Sequence, residues 1–254
     1  MSVIVARLRS AGCVFAEDEA RLLVAAARTV PELTEMVSRR AGGLPLEHVL
    51  GWAEFCGQRV AVDPGVFVPR RRTEFLVQQA ALLARSPRVI VDLCCGSGAV
   101  GVALLAVLGR GIELHATDLD PVAVRCARGN VGDAGGQVHE GDLYEPLPVS
   151  LRGRVDLLVA NAPYVPTEAI ELMPPEARIY ESRMALDGGA DGLEVQRRLI
   201  ASAPQWLAPA GHLLIETSPR QVARTVQIIV DNGLISRVAS SEDLGATVVI
   251  ATLS

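Results

Sequence analysis

The chain has 254 residues, of which 50% are hydrophobic and 21% charged, a balance that allows a packed core and excludes gross disorder. All 24 basic residues are arginine, which excludes a lysine nucleophile, a lysine Schiff base and a P-loop lysine. The formal net charge of -5 makes direct binding to long stretches of nucleic acid unexpected, because such binding needs clustered cations.

Residues 1–43 carry apolar side chains at helical spacing and show no strand pattern. They predict one helix, a break at Pro31, and a second helix that stops at Gly42 and Gly43. We therefore expect a small helical N-terminal domain.

Residues 44–74 change in character and contain two short apolar runs. Asp63, Pro64 and Gly65 separate these runs, which is typical of a β-hairpin. We expect this stretch to be a hairpin linker between the helical domain and the rest of the chain.

From residue 75 to residue 254, strand-like and helical patterns alternate. The expected strands are 89–91, 113–116, 155–160 and 212–215, and the expected helices are about 75–85, 99–108, 121–130 and 191–203. This alternation predicts a doubly wound α/β fold with a parallel sheet. Two further strand patterns, 234–240 and 246–253, are separated by only five residues and should pair antiparallel.

The first strand of this sheet runs into a glycine-containing turn. Gly96 and Gly98 let the backbone approach a ligand closely, and the following helix presents its positive N-terminus. The alternative is that these glycines only pack the helix on the strand. Asp118 and Asp142 end the next two strands, where carboxylates can accept hydrogen bonds from ribose hydroxyls and an adenine amino group. Each aspartate alone could instead be a helix cap or a solvated turn.

The glycine turn does not fit a dinucleotide fingerprint, because Cys94 and Cys95 stand where glycine would face a pyrophosphate. The order Asp-x-x-x-Gly-x-Gly followed by two further aspartates resembles the methyltransferases that bind S-adenosylmethionine. The candidate cofactor-binding residues are Asp92, Cys94, Cys95, Gly96, Ser97, Gly98, Asp118, Asp142, Leu143 and Asn161. We expect no metal site.

The fourth strand ends in Asn161-Ala162-Pro163-Tyr164, which resembles the [NDS]-P-P-[YFW] tetrad of methyltransferases acting on planar nitrogens. Residues 44–74 also resemble the hairpin linker of the HemK/PrmC-type protein glutamine-N5 methyltransferases. This family resemblance implies a Rossmann-like class I methyltransferase sheet, S-adenosylmethionine as cofactor, and a glutamine in a peptide chain release factor as substrate. It also implies that the helical N-terminal domain, residues 1–43, recognises the substrate. The chain departs from the family pattern in having Ala162 for proline, and Arg71 and Arg72 for Pro-Asp/Glu.

The tetrad suggests how an amide nitrogen could be held. The carboxamide oxygen of Asn161 can accept one N–H of the substrate, and the resemblance assigns the second acceptor to the carbonyl of Ala162. Pro163 keeps Ala162 extended, and Tyr164 offers a flat ring for the amide face.

Several alternatives remain open from the sequence. The run Arg70, Arg71 and Arg72 fits either a solvated charge run or a loop that docks the substrate. The tetrad also suits a nucleic-acid adenine-N6 methyltransferase, or a cofactor-binding scaffold without activity.

The location of the protein is expected to be the cytoplasm. The five cysteines lack disulfide and zinc spacings, and no window reaches the roughly 18–20 uncharged apolar residues of a membrane span.

Overall fold

A computed structural model describes residues 1–83 and 87–254. The N-terminal part is helical, and a β-sheet with helices on both faces follows. The α-helices are α1 Ser2–Ser10, α2 Ala16–Ala26, α3 Val30–Ala41, α4 Leu46–Leu50, α5 Glu74–Leu83, α6 Ala99–Leu108, α7 Pro121–Asp133, α8 Pro175–Tyr180, α9 Glu194–Ser202 and α10 Val222–Asp231. The strands are β1 Trp52–Phe55, β2 Gln58–Ala61, β3 Val89–Leu93, β4 Glu113–Asp118, β5 Gln137–Glu140, β6 Val155–Ala160, β7 Leu207–Glu216, β8 Ile235–Ser241 and β9 Ala246–Thr252. The last two positions of the expected helix over 75–85 lie outside the described residues.

The N-terminal helices pack around their own apolar core, which includes the fully buried Leu8 and Leu23. The two expected helices are α2 and α3, but the break between them lies at residues 27–29, whereas Pro31 lies in the first turn of α3. Proline is tolerated there, since the first-turn N–H groups have no partner within the helix. Thr29 caps the helix by accepting a hydrogen bond from the N–H of Glu32.

The hairpin lies between β1 and β2, and its turn is not at the expected residues 63–65. Cys56 and Gly57 form the turn, with φ angles of 49° and 71°. Positive φ at both central residues is what a two-residue type I′ hairpin turn requires. Residues 63–65 instead lead to an isolated parallel β-bridge between Gly65 and Glu181, at the end of α8. The limits of the three expected domains, 1–43, 44–74 and 75–254, stay a prediction.

The main sheet has seven strands in the order β5-β4-β3-β6-β7-β9-β8. The five strands from β5 to β7 are parallel, and β9 pairs antiparallel with both β7 and β8. This confirms the predicted α/β fold with a mostly parallel sheet and a C-terminal antiparallel hairpin.

Side chains alternate between the two faces of the central strand β3. Ile90 packs into the core on the side of α5, α6 and α7, whereas Val91 packs into the core on the side of α9 and α10. The strand order reverses between β3 and β6, so a crevice opens at their carboxyl ends. None of the helices in the two described ranges is long and apolar enough to cross a membrane.

Candidate active site

A cleft with an empty volume of about 980 Å³ lies at the carboxyl ends of the parallel strands. Its walls come from the turn after β3, from the ends of β4, β5 and β6, and from the linker, which contributes Phe55, Phe67, Pro69 and Thr73. Nearly all the predicted cofactor-binding residues line it: Asp92, Cys94, Cys95, Gly96, Ser97, Asp118, Asp142, Leu143 and Asn161. The remaining predicted residue, Gly98, does not.

The two glycines of the turn after β3 do different things. A Cβ added to Gly96 would meet no atom within 4 Å, so this glycine leaves open space on the cleft side. A Cβ added to Gly98 would lie 2.5 Å from Cγ2 of Val131, and Gly98 has a φ of +79°. Gly98 therefore lets α6 and α7 pack closely, which is the structural alternative that the sequence left open for this residue.

Asp118, the last residue of β4, fastens the glycine turn. One carboxylate oxygen accepts from the N–H of Gly96 at 2.8 Å, and the other accepts from the N–H of Asp120 at 2.9 Å. Each oxygen keeps a lone pair for a ligand hydroxyl in the cleft. Burial raises the pKa of Asp118, which opposes its charge, while these N–H donors favour the charge.

Asp92 lies deeper, at 2% exposure, and accepts from the N–H of Gly101 at 2.9 Å. Burial raises the pKa of Asp92 to about 7, and the nearby Asp118 adds to this rise. A positively charged ligand in the cleft would favour the ionised form of Asp92.

Asp142 forms an ion pair with Arg198 of α9. Both side chains line the cleft, and the positive φ of Leu143, 49°, marks the sharp turn that follows. Arg198 was not predicted as a site residue, because nothing in its own helix distinguishes it from the neighbouring Arg197. Asp142 therefore enters the site as half of an ion pair.

The lining of the cleft fits a cationic nucleoside better than a phosphate-bearing one. Asp92, Asp118 and Asp142 line it, whereas Arg198 is the one basic residue in the described lining and is paired. Thr117 also lines the cleft, and its buried hydroxyl has no hydrogen-bond partner among the described residues. A sulfonium, an ammonium and ribose hydroxyls match these groups in charge and hydrogen bonding.

The acceptor loop, defined here as Asn161, Ala162, Pro163 and Tyr164, borders the same cleft. Asn161 and Pro163 line it directly. The side-chain NH₂ of Asn161 donates to the hydroxyl of Thr73 over 3.4 Å. This contact leaves the carboxamide oxygen of Asn161 available to accept a hydrogen bond.

Ala162 and Tyr164 do not line the cleft in this structure. Ala162 is fully buried, and no described residue donates a hydrogen bond to its carbonyl. The hydroxyl of Tyr164 receives a 2.6 Å hydrogen bond from Arg72. Their expected roles towards a substrate amide stay predictions.

Contacts from distant parts of the chain hold the acceptor loop, and the sequence did not reveal them. The side-chain NH₂ of Gln221 donates to the carbonyl of Tyr164 at 2.9 Å. On the cofactor side, Asn130 donates to the carbonyls of Ala61 and Ser97 at 2.9 Å each, which ties β2 to the glycine turn. These amides resemble ordinary surface polar residues in the sequence.

Arg70 and Arg72 are not simply solvated charges. Arg70 donates both to Glu181 Oε1 at 2.5 Å and to Oε2 at 2.7 Å. Arg72 pairs with Glu216, while Arg71 is exposed. No group of three or more potential metal ligands occurs in residues 1–83 and 87–254, and the five cysteines are free thiols.

The fold and the acidic cleft define a class I methyltransferase. Residues 58–192 match the family model described as "Methyltransferase small domain", which covers more than half of the chain. Among solved structures, the chain is similar to a methyltransferase from Pyrococcus furiosus, with a TM-score of 0.60 and 16% identity over 85% of this chain and 98% of that one. A T. thermophilus 16S rRNA N2 G1207 methyltransferase in complex with AdoMet and guanosine is similar at a TM-score of 0.57 and 19% identity, over 80% of this chain and 50% of that one. At such identities these likenesses concern the fold alone.

Curated relatives narrow the class to a family. The chain is 40% identical to a release factor glutamine methyltransferase of Geobacter sulfurreducens over 71% of this chain and 63% of the relative. It is 39% identical to one of Streptomyces coelicolor over 74% of this chain and 67% of the relative, and 34% identical to one of Bradyrhizobium diazoefficiens over 89% and 83%. The chain belongs to the release factor glutamine methyltransferase family. Its match spans slightly less than two thirds of the Geobacter relative's length.

Proposed function

We propose that the protein transfers a methyl group from S-adenosylmethionine to the side-chain amide nitrogen of a glutamine in a peptide chain release factor. The observation that carries this proposal is the shared cleft, which Asn161 lines together with Asp92 and Asp118. A group that can accept the N–H of an amide and acidic groups that can bind the cofactor therefore lie in one cleft. The family membership supports both the cofactor and the substrate class.

The cofactor supplies an electrophilic methyl group on a sulfonium. Asp118 would hold the ribose hydroxyls, Asp142 would accept a hydrogen bond from the adenine amino group, and the buried Asp92 would provide negative charge for the cationic end. Thr117 has a buried hydroxyl without a partner among the described residues. The protein's contribution is therefore to bind and orient, which suits a displacement that depends on alignment.

The acceptor loop would position the glutamine amide, whose nitrogen is a weak nucleophile because its lone pair is delocalised into the carbonyl. The carboxamide oxygen of Asn161 accepts one N–H, because Thr73 already holds the NH₂ of this side chain. The carbonyl of Ala162 is the second acceptor in this proposal. The nitrogen loses one proton to solvent when it gains the methyl group.

The N-terminal helices would hold the protein partner. Just before α2, the side chains of Val14 and Phe15 are 84% and 69% exposed. Two adjacent exposed apolar side chains offer a surface that a protein partner can cover. Arg40 of α3 pairs with Glu19 of α2 and also with Glu176 of α8, which follows the acceptor loop in the chain. A partner held by these helices would therefore lie close to the segment that follows the loop. We infer a cytoplasmic location from the free cysteines and the translation-related substrate.

The test is incubation of the purified protein with a labelled methyl donor and candidate release factors. Label should enter the release factor, and replacement of the accepting glutamine by asparagine in that factor should abolish it. Peptide mass spectrometry identifies the modified residue. Transfer to RNA or DNA and not to protein would instead favour an adenine-N6 methyltransferase. Binding of the cofactor without transfer to any acceptor would favour the non-catalytic scaffold.

A further inference from the structure

Arg72 connects the acceptor loop to the end of a core strand. Its Nη2 donates to the hydroxyl of Tyr164 at 2.6 Å, and its Nε donates to Oε1 of Glu216 at 3.0 Å. A guanidinium can make both contacts at once because its donors lie in one rigid plane. The planar side chain thereby sets the distance between Tyr164 and the end of β7.

Glu216 is a fixed anchor for this contact. It is the last residue of β7, is 2% exposed, and follows the position that pairs with Ala160 of β6. Its Oε2 is buried and has no partner among the described residues, so Arg72 is the cation that compensates its charge.

Arg72 and the Tyr164 phenol keep their protonation states across the neutral range. Burial opposes the charge of Arg72, but Tyr164 and Glu216 outweigh it, and the pKa of Arg72 is raised. Burial also raises the pKa of the Tyr164 phenol, although Arg72 works in the opposite direction. The hydrogen bond between these two side chains therefore does not depend on pH near neutrality.

The residue after Arg72 reaches the other end of the acceptor loop. Thr73 accepts the NH₂ of Asn161, so the 3₁₀ turn Arg71–Thr73 contacts the first and the last residue of the loop. Between these ends lies Ala162, whose φ is not restricted by a ring as that of proline would be. The side-chain contacts of the turn Arg71–Thr73 thus restrict the acceptor loop at both ends, although φ of Ala162 is free of a ring.

We propose that the 3₁₀ turn Arg71–Thr73 sets the geometry of the acceptor loop, with Arg72 as a positioning residue that holds Tyr164 and thereby the two substrate acceptors. The inference rests on the proposed function and deepens it. Arg72 acts through Tyr164 and does not contact the transferred methyl group.

The first variant is Tyr164→Phe, which removes the hydroxyl but keeps the ring and the pair between Arg72 and Glu216. We expect kcat for methylation to fall roughly tenfold, the loss of about one hydrogen bond to a charged group, with the Kd of the cofactor unchanged. The matched control is Tyr180→Phe. It removes a hydroxyl that donates to the carbonyl of Gly42 at 3.3 Å and not to the acceptor loop. This control should leave kcat unchanged.

The decisive variant adds Ala162→Pro to Tyr164→Phe. Proline fixes φ at residue 162 and so replaces by backbone restriction what the side-chain contact supplied. We expect kcat of the double variant to recover to within about threefold of the parent. A hydroxyl that contacts the substrate directly would not be replaced by proline, so absence of recovery in a folded double variant overturns the inference.

A substitution at Arg72 tests the same hydrogen bond from its other side. Arg72→Lys preserves the charge that Glu216 needs, but an ammonium lacks the fork that bridges both partners. We expect the melting temperature to stay near that of the parent and kcat to fall as in Tyr164→Phe. Wild-type kcat in both variants would overturn the inference.

Hydrogen–deuterium exchange separates this inference from the proposed function. Amides at and after the acceptor loop should exchange faster in Tyr164→Phe and slow again with Ala162→Pro, whether or not a substrate is present. If the parent transfers no methyl group to any protein, the proposed function fails while the exchange result still judges Arg72. Unchanged exchange in Tyr164→Phe would overturn the positioning role even in an active enzyme.

Discussion

The cleft has a cofactor half, around Asp92 and Asp118, and an acceptor half, around the acceptor loop. The key contacts of the two halves join residues at very different separations in the sequence. In the cofactor half, Asp118 binds residues 2 and 22 positions away, and Asp92 binds a residue 9 positions away. In the acceptor half, Arg72 binds residues 92 and 144 positions away. Apart from the pair of Asp142 with Arg198 and the hydrogen bonds of Asn130, the first half is built by neighbouring strand–turn–helix units. The second half depends on the packing of the linker against the sheet.

If Arg72 positions the acceptor loop as proposed, this difference allows the acceptor loop to carry a departure from the family pattern. A short turn must satisfy its backbone locally, so the positions of Gly98 and Asp118 allow few other residues. The acceptor loop can change at Ala162 because side chains from elsewhere compensate. Four substitutions would break or sharpen the comparison.

Asn161→Ala should have the largest effect, because it removes the acceptor that no distant contact can replace. We expect kcat to fall by roughly a hundred- to a thousandfold with an unchanged melting temperature. Asn232→Ala, at an amide that caps the end of α10, is the matched control and should retain activity. Comparable activity in Asn161→Ala would argue that the amide acceptor lies elsewhere.

Gly98→Ala tests the cofactor half through stability. The added Cβ would meet Val131 at 2.5 Å, and the φ of +79° disfavours any side chain, so we expect a loss of about 2–3 kcal/mol in the free energy of unfolding. Gly132→Ala on α7 is the control, because its Cβ would meet no atom within 4 Å. Urea denaturation should show the control to be as stable as the parent or slightly more stable.

The pH dependence of stability reports on Asp92. Its pKa rises from 3.8 to about 7 on folding, so the folded chain holds a proton that the unfolded chain releases. The stabilising contribution is fully present below pH 3.8 and is lost as the pH rises through about 7.

Asp92→Asn should therefore flatten the fall in the free energy of unfolding, by roughly 1–2 kcal/mol between about pH 5 and about pH 7. The free energy of unfolding of Asp92→Asn should still fall somewhat with rising pH, because burial also raises the pKa of Asp118. The exposed Asp243→Asn should leave the profile of the parent. An equally steep profile in Asp92→Asn would show that another group titrates.

Asp118→Asn should have the smallest effect of the four. Asparagine keeps an oxygen for a backbone N–H but loses the charge, so we expect cofactor affinity to fall about tenfold by isothermal titration calorimetry. Asp133→Asn, at the exposed end of α7, is the control. Unaltered affinity in Asp118→Asn would remove Asp118 from the cofactor site.

Much of the fold could be predicted from the sequence. The apolar runs of β3, β4, β6 and β7 and the helical patterns between them are local signals, and they were sufficient for the parallel sheet. The hairpin turn was misplaced because Asp63, Pro64 and Gly65 are stronger turn formers than Cys56 and Gly57. The strand pairing, not the turn residues, decided that position.

The sequence by itself determined which residues end the strands, and hence that Asp92, Asp118 and Asn161 would meet at the carboxyl edge of one sheet. That inference holds because parallel strands end at a common edge and a turn is built from adjacent residues. The tertiary structure alone decided that Arg198 pairs with Asp142 and that Arg72 joins Tyr164 to Glu216. A surface arginine carries the same local signal wherever it lies, and only packing of distant segments brings its partner within reach.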